Sequence, residues 1–253
     1  MKDIQIGEYT FRCENRVEEW RAETLFTKEE GTVQWLLAEC KPGEVFYDIG
    51  ANIGLYTVVA ATHGATVYAF EPHVGNAQSL LQNIHLNECD QVRVITSALH
   101  WTSGYIPFHY ASQKPGSSGS QLGHTQSETG QEFIPVATEL KYAVTVDELL
   151  NRQVIQPATL VKLDVDGNEL MILRGMVGLL TRQPPRSIQV EVHPVDRMAI
   201  LDFMEDHGYT LSARHYTAIG KRHLADGVPP DEITHNAIFC SGYNVFHGHP
   251  YSL

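Results

Sequence analysis

Carboxylates recur in this chain where apolar runs end. Val45-Phe46-Tyr47-Asp48, Thr66-Val67-Tyr68-Ala69-Phe70-Glu71 and Thr159-Leu160-Val161-Lys162-Leu163-Asp164 each close on an acid, and Ser187-Ile188-Gln189-Val190-Glu191-Val192-His193 ends with an acid and an imidazole. Runs of this kind suit buried parallel strands, whose polar ends gather beyond one edge of a single sheet. Two chemistries fit such a gathering. Carboxylates beside glycines can hold the hydroxyl and amino groups of a nucleotide-like cofactor, and a carboxylate or near-neutral imidazole can take the proton of a substrate hydroxyl.

The glycines follow Asp48 directly, in Ile49-Gly50-Ala51-Asn52-Ile53-Gly54-Leu55-Tyr56. Gly50 and Gly54 permit a tight turn and close approach of a ligand. A helix starting near Gly54 or Leu55 aims free amides and positive dipole potential at that turn. A dinucleotide fingerprint needs a middle glycine to admit pyrophosphate, and this chain has Asn52 there. An acid at the turn repels phosphate and attracts an ammonium, so S-adenosylmethionine is the better ligand. Glu71, twenty-three positions beyond Asp48, is then placed to accept both ribose hydroxyls. The expected cofactor residues are Asp48, Gly50, Ala51, Asn52, Gly54, Tyr56, Glu71 and Pro72. Ser97 and Ala98 after the third strand and Asp164 after the fourth join them. A nicotinamide-dependent oxidoreductase is the rival that Asn52 disfavours; a protein that binds the cofactor without catalysing is another.

For proton transfer the candidates are Asp164 and His193, with Glu191 orienting the imidazole and Asp166 beside them. Asp164-Val165-Asp166-Gly167-Asn168-Glu169 is similar to part of a calcium loop, but Glu169 leads straight into an apolar helix, so a full calcium hand is excluded. An ion held by Asp164, Asp166 and a substrate hydroxyl is the remaining metal reading, and Asp166 and Asn168 are expected to cap the helix. No histidine pair has metal-ligand spacing. The late histidines, His207, His215, His223, His235, His247 and His249, read as surface residues.

The elements that must position these groups alternate. Strands are expected at 45–48, 66–70, 92–96, 159–164, 187–193, 209–213 and 236–240, and helices at 54–63, 74–87, 168–182 and 195–207, which makes one largely parallel sheet with right-handed crossovers. A hairpin over 4–13 and two helices, the second with Thr27 as cap and Leu37 on its apolar face, precede the core. The rhythm breaks in an insertion at 99–145. Within it 105–110 is an added strand, and 111–132, rich in Ser, Gly and Gln, is expected to be a mobile loop that covers the substrate.

The 253 residues fit a single domain, with the core at 44–253. The formal charge of −12 argues against nucleic acid as partner. Four scattered cysteines without a C-x-x-C pair, no apolar leader and no membrane-length run predict a reduced, cytoplasmic protein with a small-molecule substrate and no membrane partner.

These motifs together resemble the FkbM-type S-adenosylmethionine-dependent methyltransferases. The similarity rests on Lys28-Glu29-Glu30-Gly31-Thr32-Val33-Gln34-Trp35-Leu36, the block at 46–56, Ala69-Phe70-Glu71-Pro72, Thr145-Val146-Asp147-Glu148-Leu149, the block from Val161 to Leu170 with Leu173-Arg174-Gly175, and Val190-Glu191-Val192-His193. The resemblance implies a Rossmann-like seven-stranded methyltransferase sheet with helices on both faces, and O-methylation of a sugar, polyketide or other natural-product hydroxyl by in-line displacement. Asp164 matches the family pattern. Asp166 stands where the family usually has Glu, and Asn168 where it usually has a small residue such as Ala.

Overall fold

The computed structural model describes residues 1–127 and 129–242, so Glu128 of the insertion and His247 and His249 lie outside the described residues. The chain opens with β1 (Lys2–Ile6) and β2 (Tyr9–Cys13), an antiparallel hairpin turned at Gly7. Helix α1 (Arg16–Glu23) starts where the Asn15 side chain accepts the amides of Val17 and Glu18. Helix α2 (Glu30–Glu39) follows. The expected Thr27 cap does not form, because the Lys28 amide bonds back to the Thr24 carbonyl and the chain turns before the helix begins. Leu37 is exposed, and Trp35 takes the inner face instead, its indole N–H donating to Ser187 Oγ at 2.9 Å.

The expected alternation follows: β3 (Val45–Ile49), α3 (Leu55–Thr62), β4 (Thr66–Phe70), α4 (Val74–Leu86) and β5 (Val92–Ile95). The insertion builds its own four strands, β6 (Ala98–Leu99), β7 (Gly104–Tyr110), β8 (Gln121–Leu122) and β9 (Ala137–Val144), in the order β6-β9-β7-β8. Helix α5 (Val146–Asn151) is capped by Thr145 Oγ1, which accepts the Glu148 amide. Then come β10 (Leu160–Leu163), α6 (Glu169–Arg174), α7 (Val177–Arg182), β11 (Ser187–Val192), α8 (Arg197–Asp206), β12 (Tyr209–His215), α9 (Ala218–Ala225) and β13 (His235–Ser241). The expected single helix over 168–182 is two. At Gly175 the backbone passes the His100 carbonyl, which a Cβ would overlap. Asp147 then accepts the amides of Gly178 and Leu179 at 2.6 and 2.9 Å, starting α7 afresh.

The central sheet has seven strands in the order β12-β13-β11-β10-β3-β4-β5. Five are mutually parallel from β11 to β5, and β13 lies antiparallel between β11 and β12. After β3 the chain winds outward to β5, then returns to lay β10 on the other side of β3. The strand order therefore reverses between β3 and β10, the point at which such sheets bind ligands. Successive residues face opposite sides, so Phe46 joins the core under α2 and α3 while Tyr47 joins the core under α6 and α8. Burial on both faces is what makes these strands read as continuous apolar runs.

Candidate active site

Between β3 and α3 three residues adopt left-handed backbone, Gly50 at φ 82°, Asn52 at 50° and Gly54 at 88°. A Cβ on Gly50 would overlap the Asp164 carbonyl oxygen, so glycine lets the loops after β3 and β10 close on each other. This coil turns the Asn52 amide onto Glu71 Oε2 at 2.7 Å, while the His73 amide donates to Oε1 at 2.8 Å. Glu71 is thereby fixed on the wall of a cavity at the switch point, 5% exposed. Burial pushes its pKa up to about 7 against the pull of the two amides. Each oxygen keeps a lone pair for a further donor.

Gly50, Ala51, Asn52, Tyr56, Pro72, Ser97 and Ala98 line the same cavity, as the strand ends lead one to expect. Asp48 and Gly54 do not. The Asp48 carboxylate is fully buried beneath the turn, where Thr57 Oγ1 donates to Oδ2 at 2.6 Å and Lys162 Nζ stands 3.9 Å from Oδ1, so it cannot meet an ammonium in the cavity. Burial raises its pKa, with Lys162 and Thr57 opposing. Gly54 makes room for Leu80 of α4 rather than for a ligand.

Lys162, on β10, is the group that sequence reasoning left out. It is 1% exposed and lines the cavity, with Nζ 2.9 Å from Asp164 Oδ2 and 5.2 Å from the centre of the Tyr56 ring. A lysine inside an otherwise apolar strand was the available signal. Burial works against its charge, but Asp164 and Asp48 outweigh it and keep the ammonium charged. Burial likewise opposes ionisation of Asp164, and Lys162 with Lys28 overrides it to hold that carboxyl below its ordinary range. Arg21 and Lys28 also reach the cavity; Lys28 opens the first of the matching blocks but is not among the expected site residues, and Arg21 lies outside every block.

Glu191 lines the cavity close to Asp164, and its pKa is raised by burial and by the Asp164 charge. Two neighbouring carboxyls are thus pushed apart, one kept ionised and the other retaining its proton more strongly. His193 does not reach the cavity. It is 3% exposed, with Nδ1 3.1 Å from Thr234 Oγ1 and Nε2 3.1 Å from Glu191 Oε2. Burial lowers its pKa, but Glu191 more than reverses this, to about 9. Outside the cavity and behind Glu191, the ring does not meet a substrate hydroxyl there, so the expected role of His193 as base is corrected to a partner of Glu191.

The insertion is also corrected. Residues 112–122 are not a loose loop: Asn52 Nδ2 and Asn76 Nδ2 both donate to the Ser117 carbonyl at 3.1 Å, and Arg21 Nε donates to that of Gly116. Neither Asp166 nor Asn168 caps α6 with its side chain. Asp166, at φ 59°, accepts the Gly119 amide at 2.8 Å, and Asn168 Nδ2 donates to Gln121 Oε1 at 2.8 Å. The two positions that depart from the family pattern therefore clasp the insertion, whose Ser117, Ser118 and Ser120 line the cavity. Of the late histidines, His235 is buried rather than on the surface. Asp164, Asp166 and Glu191 each bring an oxygen within 4.8 Å of the others, but Asp164 is engaged by Lys162 and Asp166 by Gly119. All four cysteines are unpaired and buried, and among the described residues no helix is long and apolar enough to cross a membrane.

Comparison with known proteins agrees with this geometry. The family described as methyltransferase FkbM domain matches residues 48–211. Hexuronic acid methyltransferase AglP of Haloferax volcanii is 29% identical over 183 residues, covering 72% of this chain and 70% of that protein. The 31-O-demethyl-FK506 methyltransferase FkbM of Streptomyces tacrolimicus is 26% identical over 200 residues, covering 69% and 76%. Among solved structures, Trm5b of Pyrococcus abyssi superposes with a TM-score of 0.51 at 10% identity over 93% of this chain and 54% of that one, a likeness of fold alone. Matched from Asp48 into β12, a span that includes the glycine turn, Glu71 and the carboxylates after β10 and on β11, the chain belongs to the methyltransferase FkbM domain family.

Proposed function

We propose that this protein is an S-adenosylmethionine-dependent O-methyltransferase acting on a hydroxyl of a small molecule of the sugar or polyketide kind. The observation that carries the reading is one cavity lined by both Glu71 and the Asp164–Glu191 carboxyl pair. Glu71, held by two amides and still able to accept, suits the ribose hydroxyls of the cofactor, and the left-handed turn at Gly50–Asn52 leaves space beside it. S-adenosylmethionine, when bound, supplies a methyl group already activated on sulfonium sulfur. The chain aligns a hydroxyl with that methyl, excludes water and takes the hydroxyl proton. With the donor bound, the C–O bond would form as the C–S bond breaks and S-adenosylhomocysteine leaves, and the hydroxyl proton would pass to Glu191, which holds a proton more strongly than a free carboxyl, while Lys162 keeps Asp164 ionised beside it. AglP and FkbM, by their names, act on a hexuronic acid and on 31-O-demethyl-FK506. The net charge of −12 also favours a small molecule over a nucleic acid.

The test is transfer of labelled methyl from S-adenosylmethionine to a panel of hexuronic acids, neutral glycosides, macrolide alcohols and a structured RNA. Methyl ether formation on a sugar or macrolide hydroxyl, with none on RNA, is expected. Tight binding of S-adenosylhomocysteine with no transfer to any hydroxyl would sink the proposal.

A further inference from the structure

Glu169, Glu191 and His193 converge behind the cavity wall. One carboxylate oxygen of each glutamate and one ring nitrogen of the histidine lie within 4.8 Å of one another. Glu169 is fully buried. Its Oε1 accepts the amides of Val165 and Gly167 at 2.9 and 3.2 Å, but its Oε2, also buried, has no hydrogen-bond partner among the described residues. A carboxylate oxygen left unsatisfied in the interior is costly, and it requires a physical account.

His193 meets the same cluster. Thr234 Oγ1, 3.1 Å from Nδ1, orients the ring and leaves Nε2 facing the glutamates. That nitrogen lies 3.1 Å from Glu191 Oε2 but out of hydrogen-bond alignment. An imidazole with one nitrogen fixed by an outer partner and the other turned toward carboxylates is arranged as a metal ligand is.

We propose that Glu169, Glu191 and His193 form a binding site for one divalent first-row transition ion of the Mn²⁺ or Zn²⁺ kind. Two carboxylates and an imidazole suit such ions, whereas Ca²⁺ and Mg²⁺ favour sets made entirely of oxygen. The ion would satisfy Glu169 Oε2 and offset two buried negative charges. The adjacent Asp164–Asp166–Glu191 group is a poorer site, because Lys162 and the Gly119 amide already occupy its oxygens. Glu191 belongs to both the site and the cavity lining, so a bound ion would lie directly behind the proposed path of the substrate proton. Ligands from α6 and β11, drawn from two separate motifs, explain why no metal spacing is visible in the chain.

Chelator-treated full chain titrated with Co²⁺ tests the site. Visible absorption saturating at one equivalent is expected, with competition by Mn²⁺ or Zn²⁺. Glu169→Gln and His193→Gln should each weaken binding at least about tenfold, while Asp166→Asn retains it. Stabilisation by S-adenosylhomocysteine in a thermal melt establishes that each variant keeps a formed cavity. Pulsed EPR of the Mn²⁺-loaded wild type should show a single imidazole nitrogen coupling, a readout that needs no variant. Absence of stoichiometric Co²⁺ binding, or of that coupling, overturns the proposal. So does binding that survives in both Glu169→Gln and His193→Gln, or that only Asp166→Asn removes, which would move the ion to the neighbouring carboxylates.

Discussion

The end of the cavity proposed to hold the cofactor takes its parts from residues 50–73, where the amides of Asn52 and His73 fix Glu71, whereas the proposed acceptor end draws Lys162 and Asp164 from β10 and its end and Glu191 from β11 and balances them by charge. In the first, backbone geometry sets position and the side chain supplies one acceptor. In the second, each charged side chain depends on the others, because a buried charge is stable only with its counter-charge in place. Damage should therefore spread differently from the two ends: locally in the first, across the whole constellation in the second.

The largest effect should come from the acceptor end. Asp164→Asn is expected to lower kcat by about 10²- to 10⁴-fold while S-adenosylhomocysteine still binds, measurable by steady-state turnover beside calorimetry. Equal loss of turnover and of cofactor binding would erase the distinction between the ends. Next is Lys162→Met, which strips the counter-charge from Asp48 and Asp164 together and should cost about 3–5 kcal/mol of stability in chemical denaturation. A variant as stable as the wild type would show that charge balance does not hold this end together.

Glu71→Gln should act on the cofactor alone, weakening S-adenosylhomocysteine by about tenfold with little change in kcat at saturation. Its pH signature is specific. Burial lifts the Glu71 pKa from 4.5 to about 7, so the folded protein favours the protonated form until pH rises through that value. Affinity for S-adenosylhomocysteine should therefore increase with pH across about 7 in the wild type and stay flat in Glu71→Gln. The smallest effect is expected from Asn168→Ala, which frees Gln121 and loosens the insertion at the acceptor end. Losing one buried hydrogen bond is worth about 1–2 kcal/mol, read here as a several-fold higher KM for the acceptor. If S-adenosylhomocysteine binding fell instead, the insertion would belong to the cofactor end.

Much of the cofactor end was legible because its signals are local. A glycine after an apolar run and a second acid one βαβ unit later lie within twenty-four residues. The seven-stranded sheet was legible for a similar reason, since burial on both faces writes itself as apolar runs between helical periods. Local reading failed where a side chain's partner is distant. Asp48 reads like a ligand contact, yet Lys162 and Thr57 draw it beneath the floor. His193 reads like a base, yet its ring lies behind Glu191 and outside the cavity. The stretch 111–132 looks featureless, although Asp166, Asn168 and Asn52 clasp part of it from two separate loops and Gln121 and Leu122 extend a sheet.

By itself, then, the sequence determined the sheet, the glycine turn, the family and the set of acids from which the site is made, because strand burial, left-handed turns and strand-end carboxylates are properties of short segments. Tertiary structure alone decided which acids face the cavity, which of them burial and neighbouring charges shift, and which residues hold the insertion. Those depend on distances between strands far apart in the chain, and on the low-dielectric interior that makes each buried charge answer to its neighbour.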